Sequence, residues 1–553
     1  MPQRAADLLA ACLVAQGADR LFCVPGESYL ALLDALYDLP QVDVVVCRHE
    51  GGAGMMAVAD AKLTGRPGLA AVSRGPGATN AAIAVHLAEQ DAVPLVLLVG
   101  QVARHERGRG AFQEMDYGAV FGTVAKAVWE VWDAAHLPEI VARAFHTAAA
   151  GTPGPVVISL PEDMLGDVVD AEPVPPQPLP RTGPGPGEIV AVVERLSAAE
   201  RPLVIAGGGL AATEGRSALA NLARRCGLPV ATTFKHQEIF DNAAPYFAGN
   251  LGFKIPQRHV DTLAEADLIL AIGTRLGDVP TQGFTFPVAP RPAQTLVHVW
   301  PDPAVLGRVY RTDLAVPCDP VLFCAALADA APEADRGDWR QRVRRSAMTL
   351  RAPPLRPVTG GVDFGAVVSA LARQAPRDSI VATDSGNFSS WVHAFWPWDG
   401  SQTAIGAVGG AMGLGVPGAV AAAMRHPDRT VLGFVGDGGA LMTGQELATG
   451  IAHGAKPKIV ISDNSTYGTI RLHQERAYPE RVVGTDLANP DFAAWARAFG
   501  AFGRTVSDVD GMDDAVAELL AHDGAAVLHV KSSAEAISAF TTITALRGAP
   551  TSD

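Results

Sequence analysis

Short, fully apolar runs alternate with helical patterns along the whole chain, which has 553 residues. Because the runs lack the polar–apolar alternation of half-exposed strands, we expect strands that are buried on both faces. This alternation is typical of parallel sheets flanked by helices and predicts an α/β fold. The strand candidates are Val42 to Cys47, Gly68 to Val72, Leu95 to Val99, Leu203 to Ala206, Leu268 to Ile272, Leu296 to Val299, Ile380 to Ala382, Val431 to Val435, Ile459 to Ser462 and Ala526 to Val530.

Two seams divide the chain, which is too long for a single hydrophobic core. The first is the linker from Ala171 to Gly187, whose prolines exclude a helix or a central strand. The second is a charged helix near 338–351 followed by a proline-rich stretch to Pro357. We therefore predict three doubly wound parallel-sheet domains, over residues 1–170, 188–335 and 358–553.

Charge and cysteine usage exclude several classes of function. The net charge of -14 argues against nucleic acid and against anionic membranes as partners. No apolar stretch is long enough to span a membrane, and the N-terminus is typical of an amphipathic helix rather than a signal peptide. The six cysteines form no Cys-x-x-Cys pair, which favours reduced thiols and a cytoplasmic location.

Polar residues end two of the candidate strands in the last segment. Gly436-Asp437-Gly438-Gly439 follows one apolar run, and Asn464 ends the next. Parallel neighbours would place both ends at one edge, where α/β sheets bind ligands. Carboxylate and amide oxygens suit Mg²⁺ shared with a diphosphate, and a helix expected from about Leu441 would point its N-terminus at the phosphates. Two ordinary strand-end turns are the alternative interpretation.

A group of motifs, in this order and at this spacing, resembles the acetolactate synthase branch of thiamine diphosphate (ThDP) enzymes. The resemblance covers essentially the whole chain. Its motifs are Val24-Pro25-Gly26-Glu27, Arg48-His49-Glu50, Gly75-Pro76-Gly77-Ala78-Thr79-Asn80, Gly100-Gln101-Val102, Ala111-Phe112-Gln113-Glu114, Gly409-Gly410-Ala411-Met412-Gly413-Leu414-Gly415-Val416-Pro417, Gln445-Glu446-Leu447-Ala448-Thr449 and Asn489-Pro490-Asp491-Phe492.

The resemblance implies ThDP and Mg²⁺ as cofactors, bound by a pyrimidine-binding first domain and a diphosphate-binding third domain. Asp437, Asn464 and the carbonyl of Thr466 would hold the metal. Glu50 would activate the cofactor through its pyrimidine ring, although a glutamate that opens a helix is also an ordinary cap. Met412 would separate the two cofactor rings. Further cofactor contacts are expected from Gly26, Gly410, Gly436, Gly438, Gly439, Tyr467, Gly468 and Asn387.

The resemblance also implies a substrate surface and an assembly. Phe112 and Gln113 would face the reacting carbon, and Thr469, Ile470 and His473 would lie on a substrate-facing helix. The cofactor would lie between subunits, so we expect a homodimer or a homotetramer.

Three features depart from the family pattern. Glu27 replaces a usual glycine, and a carboxyl in an apolar pocket would have a raised pKa and act as acid or base; a surface glutamate is the alternative. His473 and Thr469 replace a usual Trp and Met, and His473 would bind a substrate carboxylate or shuttle a proton. Asn387 lies in a turn where relatives have Gly-Gln-His against the diphosphate.

The implied reaction is the loss of CO₂ from a 2-oxo acid such as pyruvate, with an enamine intermediate and acyl transfer to a carbonyl acceptor. The alternatives are a non-oxidative decarboxylase, a 2-hydroxy ketone lyase similar to benzaldehyde lyase, and a catalytically silent subunit. Some relatives bind FAD in the central domain. The loop Phe234-Lys235-His236-Gln237-Glu238 does not resemble their FAD-binding stretch, so FAD is not expected.

Overall fold

The computed structural model describes residues 1–548. The chain forms two compact units. The first contains Met1–Leu179, Arg356–Ser390 and the chain from Ile405 onward, and the second contains Pro180–Leu355 and Trp391–Ala404. The predicted boundaries of the three domains stay a prediction, and residues 549–553 of the third lie outside the described residues.

The N-terminal part of the first unit is built on a six-stranded sheet in the order β3-β2-β4-β5-β7-β6, in which all neighbours are parallel. Its elements are β1 (Gln3–Arg4), α1 (Ala5–Ala15), β2 (Arg20–Cys23), α2 (Leu30–Tyr37), β3 (Asp43–Val46), α3 (Glu50–Thr64), β4 (Gly68–Val72), α4 (Gly75–Asp91), β5 (Leu95–Gln101), α5 (Tyr117–Phe121), β6 (Ala127–Glu130), α6 (Leu137–Ala149), β7 (Pro155–Pro161) and β8 (Val168–Val169).

Side chains of this sheet alternate between two cores. In β5, Val96 and Leu98 join one core with α1, α2 and α6, whereas Leu97 and Val99 join the other with α3 and α4. Helices therefore cover both faces of the sheet, which explains why β5 is apolar along its whole length.

The second unit is also built on a six-stranded parallel sheet, in the order β11-β10-β9-β12-β13-β14. Its elements are α7 (Pro186–Ala198), β9 (Pro202–Ala206), α8 (Thr213–Cys226), β10 (Val230–Thr233), β11 (Phe247–Leu251), α9 (Gln257–Ala264), β12 (Leu268–Ile272), β13 (Thr295–Val299), β14 (Leu314–Val316), α10 (Pro320–Ala330) and α11 (Gly337–Met348).

The C-terminal sheet has the order β16-β15-β17-β18-β20-β19, and the strands from β15 to β19 pair in parallel. The elements of this region are α12 (Phe364–Gln374), β15 (Ile380–Thr383), α13 (Ser389–Phe395), β16 (Thr403–Gly406), α14 (Gly415–Arg425), β17 (Val431–Gly436), α15 (Asp437–Thr443), α16 (Glu446–Ala452), β18 (Lys458–Asp463), α17 (Gly468–Ala477), α18 (Phe492–Ala498), β19 (Phe502–Val506), α19 (Met512–Ala521), β20 (Ala526–Lys531) and α20 (Ile543–Gly548).

One hydrophobic core joins the two sheets of the first unit. It contains the buried alanines of α3, residues of α4, and Val416, Ala419 and Val420 of α14. Small side chains at these positions let α3 and α14 pack closely. The predicted α/β fold with three parallel sheets is confirmed, and each predicted strand overlaps a strand of the structure.

Candidate active site

Two polar side chains follow neighbouring strands at one edge of the C-terminal sheet. β17 and β18 are adjacent and parallel, with Gly436 opposite Ser462. Asp437 directly follows β17, and Asn464 directly follows β18. The two predicted metal ligands therefore lie at the same edge of the sheet.

Helix α15 begins at Asp437 itself, so the expected start near Leu441 was wrong. The reason lies in the glycines between Asp437 and Leu441. A side-chain carbon on Gly438 would lie 2.5 Å from Cε1 of the Tyr467 ring. Only glycine fits in this position, and the chain turns directly from the strand into the helix, so that the N-terminus of the helix lies at the sheet edge.

A buried carboxylate, Asp384, fixes the turn that carries Met412. Its two oxygens accept from the main-chain N–H of Gly413 at 2.9 and 3.0 Å. The same carboxylate confines Gly439, where an added side-chain carbon would lie 2.6 Å from Oδ2. Gly410 has a φ of +73°, so the turn before Met412 uses a conformation that favours glycine. Asp384 thus connects the Met412 turn with the start of α15.

The side chain of Asp437 is buried and receives only uncharged donors. Oδ1 accepts from Gly438 N at 2.9 Å and Oδ2 accepts from Asn489 Nδ2 at 2.8 Å. Burial raises the pKa of Asp437 because the carboxylate is removed from water. Beside it, the Thr466 N–H donates to Asn464 Oδ1 at 3.3 Å, which fixes the turn that presents the Thr466 carbonyl.

Helix α17 carries the side chains predicted to face the substrate. It begins at Gly468, directly after Tyr467. Ile470 is 52% exposed, whereas Thr469 and His473 are half-buried. The structure therefore places Thr469, Ile470 and His473 on one helix that starts beside the glycines of α15.

Asn387 fixes the start of this helix. Its Nδ2 donates to the carbonyls of Gly468 at 3.0 Å and Ile537 at 3.1 Å, and its Oδ1 accepts from Thr469 Oγ1 at 3.0 Å. Both amide hydrogens are thus engaged with main-chain carbonyls. A contact between Asn387 and the diphosphate stays a prediction.

At the N-terminal sheet, Glu50 is the first residue of α3 and is half-buried. Its Oε2 accepts from Asn80 Nδ2 at 2.9 Å. Oε1 lies 3.4 Å from the position of a side-chain carbon added to Gly77 in the first turn of α4. The Asn80 contact orients the carboxyl group beside that turn.

Gly26 and Gln113 approach the same turn of α4. A side-chain carbon on Gly26 would lie 2.6 Å from Cβ of Ser73, so only glycine fits there. The main-chain N–H of Gly75 donates to the Gln113 carbonyl at 3.1 Å. The structure therefore gathers three predicted site segments around the start of α4.

The loop with Phe112 and Gln113 is held in a strained conformation. Gln113 has a φ of +63°, and the Phe112 side chain is exposed. The Glu114 carboxylate accepts from three main-chain N–H groups within residues 108–111, at 2.6, 3.0 and 3.1 Å. Arg107 Nη1 also donates to it at 2.7 Å. Strain that the surroundings enforce is common at functional sites.

In one chain, the surroundings of Glu27 agree with the alternative of a surface glutamate rather than with an apolar pocket. Its side chain is 71% exposed and lies 3.3 Å from Arg74 Nη1. The Arg74 guanidinium is buried, and its Nη2 donates to Glu162. Nε of Arg74 has no hydrogen-bond partner among the described residues. Arg74 approaches Glu27 from the end of the adjacent strand, so the Glu27 carboxyl group has a cationic neighbour.

The carboxylate of Glu446, at the start of α16, holds the two residues that precede Glu50. This fully buried carboxylate accepts from His49 N at 3.0 Å and from Arg48 N at 3.2 Å. A side-chain carbon on Gly52 would lie 2.3 Å from its Oε1. Burial raises the pKa of Glu446. Glu446 thus connects the C-terminal region with the segment that presents Glu50.

Sequence reasoning assigned no role to Arg74, Glu446 or Asn489. Glu446 and Asn489 belong to motifs that carried the resemblance, and Arg74 directly precedes Gly75 of another. A charged or amide side chain within or next to such a motif was the signal in the sequence that could have pointed to these three residues. Their partners lie far away in sequence, so only the fold reveals their contacts.

Three family models match consecutive parts of the chain. The N-terminal TPP binding domain of thiamine pyrophosphate enzymes matches residues 3–120, the central domain matches 189–327 and the C-terminal TPP binding domain matches 384–530. The acetolactate synthase large subunit of Parasynechococcus marenigrum is 35% identical, over 93% of this chain and 83% of its own length. The chain belongs to the acetolactate synthase-like family of ThDP-dependent enzymes.

Other relatives of this acetolactate synthase-like enzyme are similar over nearly their full length. The isozyme 2 large subunit of Escherichia coli is 31% identical, over 94% of this chain and 93% of its own. The large subunit of Lactococcus lactis is 29% identical, over 90% of this chain and 87% of its own.

The C-terminal edge of the enzyme suits a diphosphate with a divalent cation. Asp437 is a buried carboxylate whose donors are uncharged, so a cation would offset the cost of its burial. Gly438 leaves a space beside Tyr467 that a side chain would fill. The oxygens of Asp437, Asn464 and the Thr466 carbonyl are the kind that Mg²⁺ prefers. Among residues 1–548, no three or more His, Cys, Asp or Glu side chains form a cluster that could hold a metal. The site at Asp437 is of a different kind, because an amide oxygen and a main-chain carbonyl would complete it.

Two further observations concern cofactors and membranes. In the second unit, the His236 ring covers the glycine-rich end of β9, where a side-chain carbon on Gly208 would lie 2.6 Å from Nε2. The expectation that the enzyme works without FAD stays a prediction. Within the described part of the chain, no helix has the length and apolar character that crossing a membrane requires.

Proposed function

We propose that this chain is a ThDP- and Mg²⁺-dependent carboligase that acts on a 2-oxo acid such as pyruvate. It would transfer the acyl unit that remains after CO₂ loss to a carbonyl acceptor. The observation that carries this proposal is the position of Asp437 and Asn464 at neighbouring strand ends in a chain that also presents Glu50. The relatives called acetolactate synthase support the choice of substrate class.

In this proposal, the C-terminal edge binds the cofactor. Asp437, Asn464 and the Thr466 carbonyl would hold Mg²⁺, and the N–H groups at the start of α15 would bind the diphosphate. Met412, held by the Asp384 anchor, would support the cofactor rings. When bound, ThDP supplies a centre that stabilises negative charge on the former carbonyl carbon of the substrate.

Glu50 would share a proton with the pyrimidine ring of the cofactor. The contact from Asn80 to Oε2 orients the carboxyl group, so that Oε1 is the oxygen available for this proton. Glu446 would keep the turn before Glu50 in place. General acid–base residues of this kind typically contribute about 10²–10⁴-fold to a rate.

The substrate would bind between the Phe112 loop and α17. Gln113 offers an uncharged amide that binds a carboxylate without titrating. Thr469, Ile470 and His473 would shape the acceptor side, with His473 as a donor to the substrate carboxylate. Different side chains at these positions would change the acceptor range.

We further propose that the active enzyme is a homodimer or a homotetramer with its sites between subunits. Phe112 and Ile470 are apolar and largely exposed in one chain, as are Leu441 and Met442 on α15. A second copy would cover such apolar side chains around a site. A cytoplasmic location stays a prediction from the cysteine usage.

A decarboxylase or a 2-hydroxy ketone lyase is the second candidate, and the Glu27–Arg74 pair favours it. Arg74 holds the exposed Glu27 carboxylate near the turn of α4 that Glu50 also contacts. After CO₂ loss, a carboxyl group there would donate a proton to the former carbonyl carbon of the substrate. The product would then leave as an aldehyde, because that carbon could no longer attack an acceptor to form a 2-hydroxy ketone.

The test is a substrate screen with ThDP and Mg²⁺, using pyruvate and other 2-oxo acids, with CO₂ release and product mass as readouts. Acetolactate or another 2-hydroxy ketone formed from the 2-oxo acid would support the carboligase. Aldehyde alone would support the decarboxylase, and cleavage of an added 2-hydroxy ketone would support the lyase. Absence of turnover with all of these compounds would contradict the proposed activity.

A further inference from the structure

Asn489 lies between two buried carboxylates. Its Nδ2 donates to Asp437 Oδ2 at 2.8 Å and to Asp463 Oδ1 at 2.8 Å. An amide nitrogen carries two hydrogens, so each carboxylate receives one of them. Asn489 belongs to the Asn-Pro-Asp-Phe motif, to which the proposed function assigns no role.

The two carboxylates have different surroundings. Asp463 Oδ2 accepts from His529 Nε2 at 2.8 Å and from Lys531 Nζ at 2.6 Å, so this carboxylate is anchored by basic side chains. Asp437 has only Asn489 and the Gly438 N–H as donors. Asn489 therefore connects Oδ2 of Asp437 to a carboxylate that basic side chains already hold.

The loop that carries Asn489 is itself well anchored. Asp491 accepts from the N–H groups of Ala493 and Ala494 at 2.9 and 3.1 Å and caps α18. The Phe492 ring is buried and meets the His529 ring edge to face, with centroids 5.2 Å apart. The second contact packs this loop against the same histidine that binds Asp463.

We propose that Asn489 is the positioning residue of the metal centre, which keeps the Asp437 carboxylate in its ligating orientation beside Asp463. This rests on the proposed role of Asp437 as a Mg²⁺ ligand. Without the amide, two buried carboxylates would face each other with no donor between them, and Asp437 would rotate. Partners that orient a metal ligand typically contribute about 10–100-fold to metal affinity.

The test compares Asn489→Leu with Asp491→Ala and the wild-type chain. Leucine has a similar size to asparagine but donates no hydrogen bond. Asp491→Ala removes the α18 cap in the same loop, together with a carboxylate 3.5 Å from His529 Nδ1, but keeps Asn489, whose Nδ2 donates to both buried carboxylates. Mn²⁺ affinity is measured by electron paramagnetic resonance at saturating ThDP, and the melting temperature of each cofactor-free chain is recorded.

We expect Asn489→Leu to bind Mn²⁺ about 10–100-fold more weakly, and high Mg²⁺ to restore ThDP binding. Asp491→Ala should lower the melting temperature but change Mn²⁺ affinity less than about threefold, because it does not touch Asp437. Equal Mn²⁺ affinity of Asn489→Leu and wild type would overturn the proposal. An equal loss in both variants would do the same, since it would assign the effect to loop stability.

Failure of the proposed function gives a different result. In that case the wild-type chain itself would bind no Mn²⁺ in the presence of ThDP, and the metal role of Asp437 would be lost together with that of Asn489. A wild-type chain that binds Mn²⁺ and an Asn489→Leu variant that binds equally well would contradict only the positioning role.

Discussion

The two predicted halves of the site differ in how completely one chain builds them. At the C-terminal edge, Asp437 is buried and held by Asn489, which is anchored in turn to Asp463. At the N-terminal edge, Glu50 is half-buried with one side-chain donor, and Glu27 and Phe112 are exposed. In our proposal, the metal ligand needs a fixed orientation within one chain, whereas the half that would transfer the proton is left open for the cofactor and a second subunit.

The largest expected effect comes from the N-terminal edge, the open half of the site that contains Glu50, Glu27 and Phe112. Glu50→Gln removes the proton that the carboxyl group would share, so turnover should fall by about 10²–10⁴-fold. Because the C-terminal edge is unchanged, Mg²⁺ and ThDP affinity should stay within about threefold of wild type. Steady-state kinetics and calorimetric titration measure the two quantities. A Glu50→Gln variant with wild-type turnover would contradict the proposed role of Glu50 in activating the cofactor.

Asp437→Asn should produce the opposite pattern. Loss of the charged ligand should weaken Mg²⁺ and ThDP binding by about 100-fold or more, because loss of a direct ligand costs at least as much as loss of a residue that orients one. Turnover should return when Mg²⁺ is raised, since Glu50 is intact. Titration of activity with Mg²⁺ checks this, and a loss that no Mg²⁺ concentration restores would contradict a purely metal-binding role for Asp437.

Glu446→Gln tests whether the two halves are independent. Glutamine still accepts hydrogen bonds but loses the charge that strengthens the contacts to the N–H groups of Arg48 and His49. We expect turnover to fall about tenfold, with Mg²⁺ affinity unchanged, because the turn before Glu50 loosens. Hydrogen exchange of residues 46–54 should increase in parallel. A loss of Mg²⁺ affinity instead would place the effect at the C-terminal edge.

Arg74→Gln should have a smaller effect, confined to the open half. It removes the cation beside Glu27, whose exposure limits the strength of the pair. We expect KM for the 2-oxo acid to rise about threefold to tenfold with kcat nearly unchanged. Arg104, which pairs with Asp163 and Asp167, offers a matched control in Arg104→Gln. An equal change in both variants would indicate a general effect of charge.

The smallest effect is a pH dependence of stability. Burial raises the folded-state pKa of Glu446 above its ordinary value of 4.5. The folded chain therefore binds this proton more tightly than the unfolded chain, and the contribution to stability is full below pH 4.5 and lost as pH rises through the folded-state pKa. Melting temperatures of wild type and Glu446→Gln should thus converge or cross as pH rises through this window. A constant difference would contradict the shift.

Sequence patterns predicted the fold better than the environments within it. The apolar runs at Val431 to Val435 and Ile459 to Ser462 are strands, because residues buried on both faces leave an unambiguous pattern. The surroundings of Glu27 were left open between an apolar pocket and the surface, because Arg74 reaches it from a different strand end. Contacts between residues far apart in sequence depend on the packed fold, and a single sequence does not contain them.

The helix start at Asp437 illustrates the same limit on a smaller scale. Glycines usually weaken a helix, so a start after them at about Leu441 was the reasonable expectation. The confined space beside Tyr467 reverses that preference, since any other residue than Gly438 would collide with the ring.

The contact between Gly52 and Glu446 sets a rule for recombining this enzyme with its relatives. An added side-chain carbon at Gly52 would lie 2.3 Å from the Glu446 carboxylate, although the two residues come from opposite halves of the chain. A chimera that takes its first sheet from one parent and its last from another keeps its fold only if both parents match at this pair. Crossover points therefore cannot be chosen from the linker sequences alone.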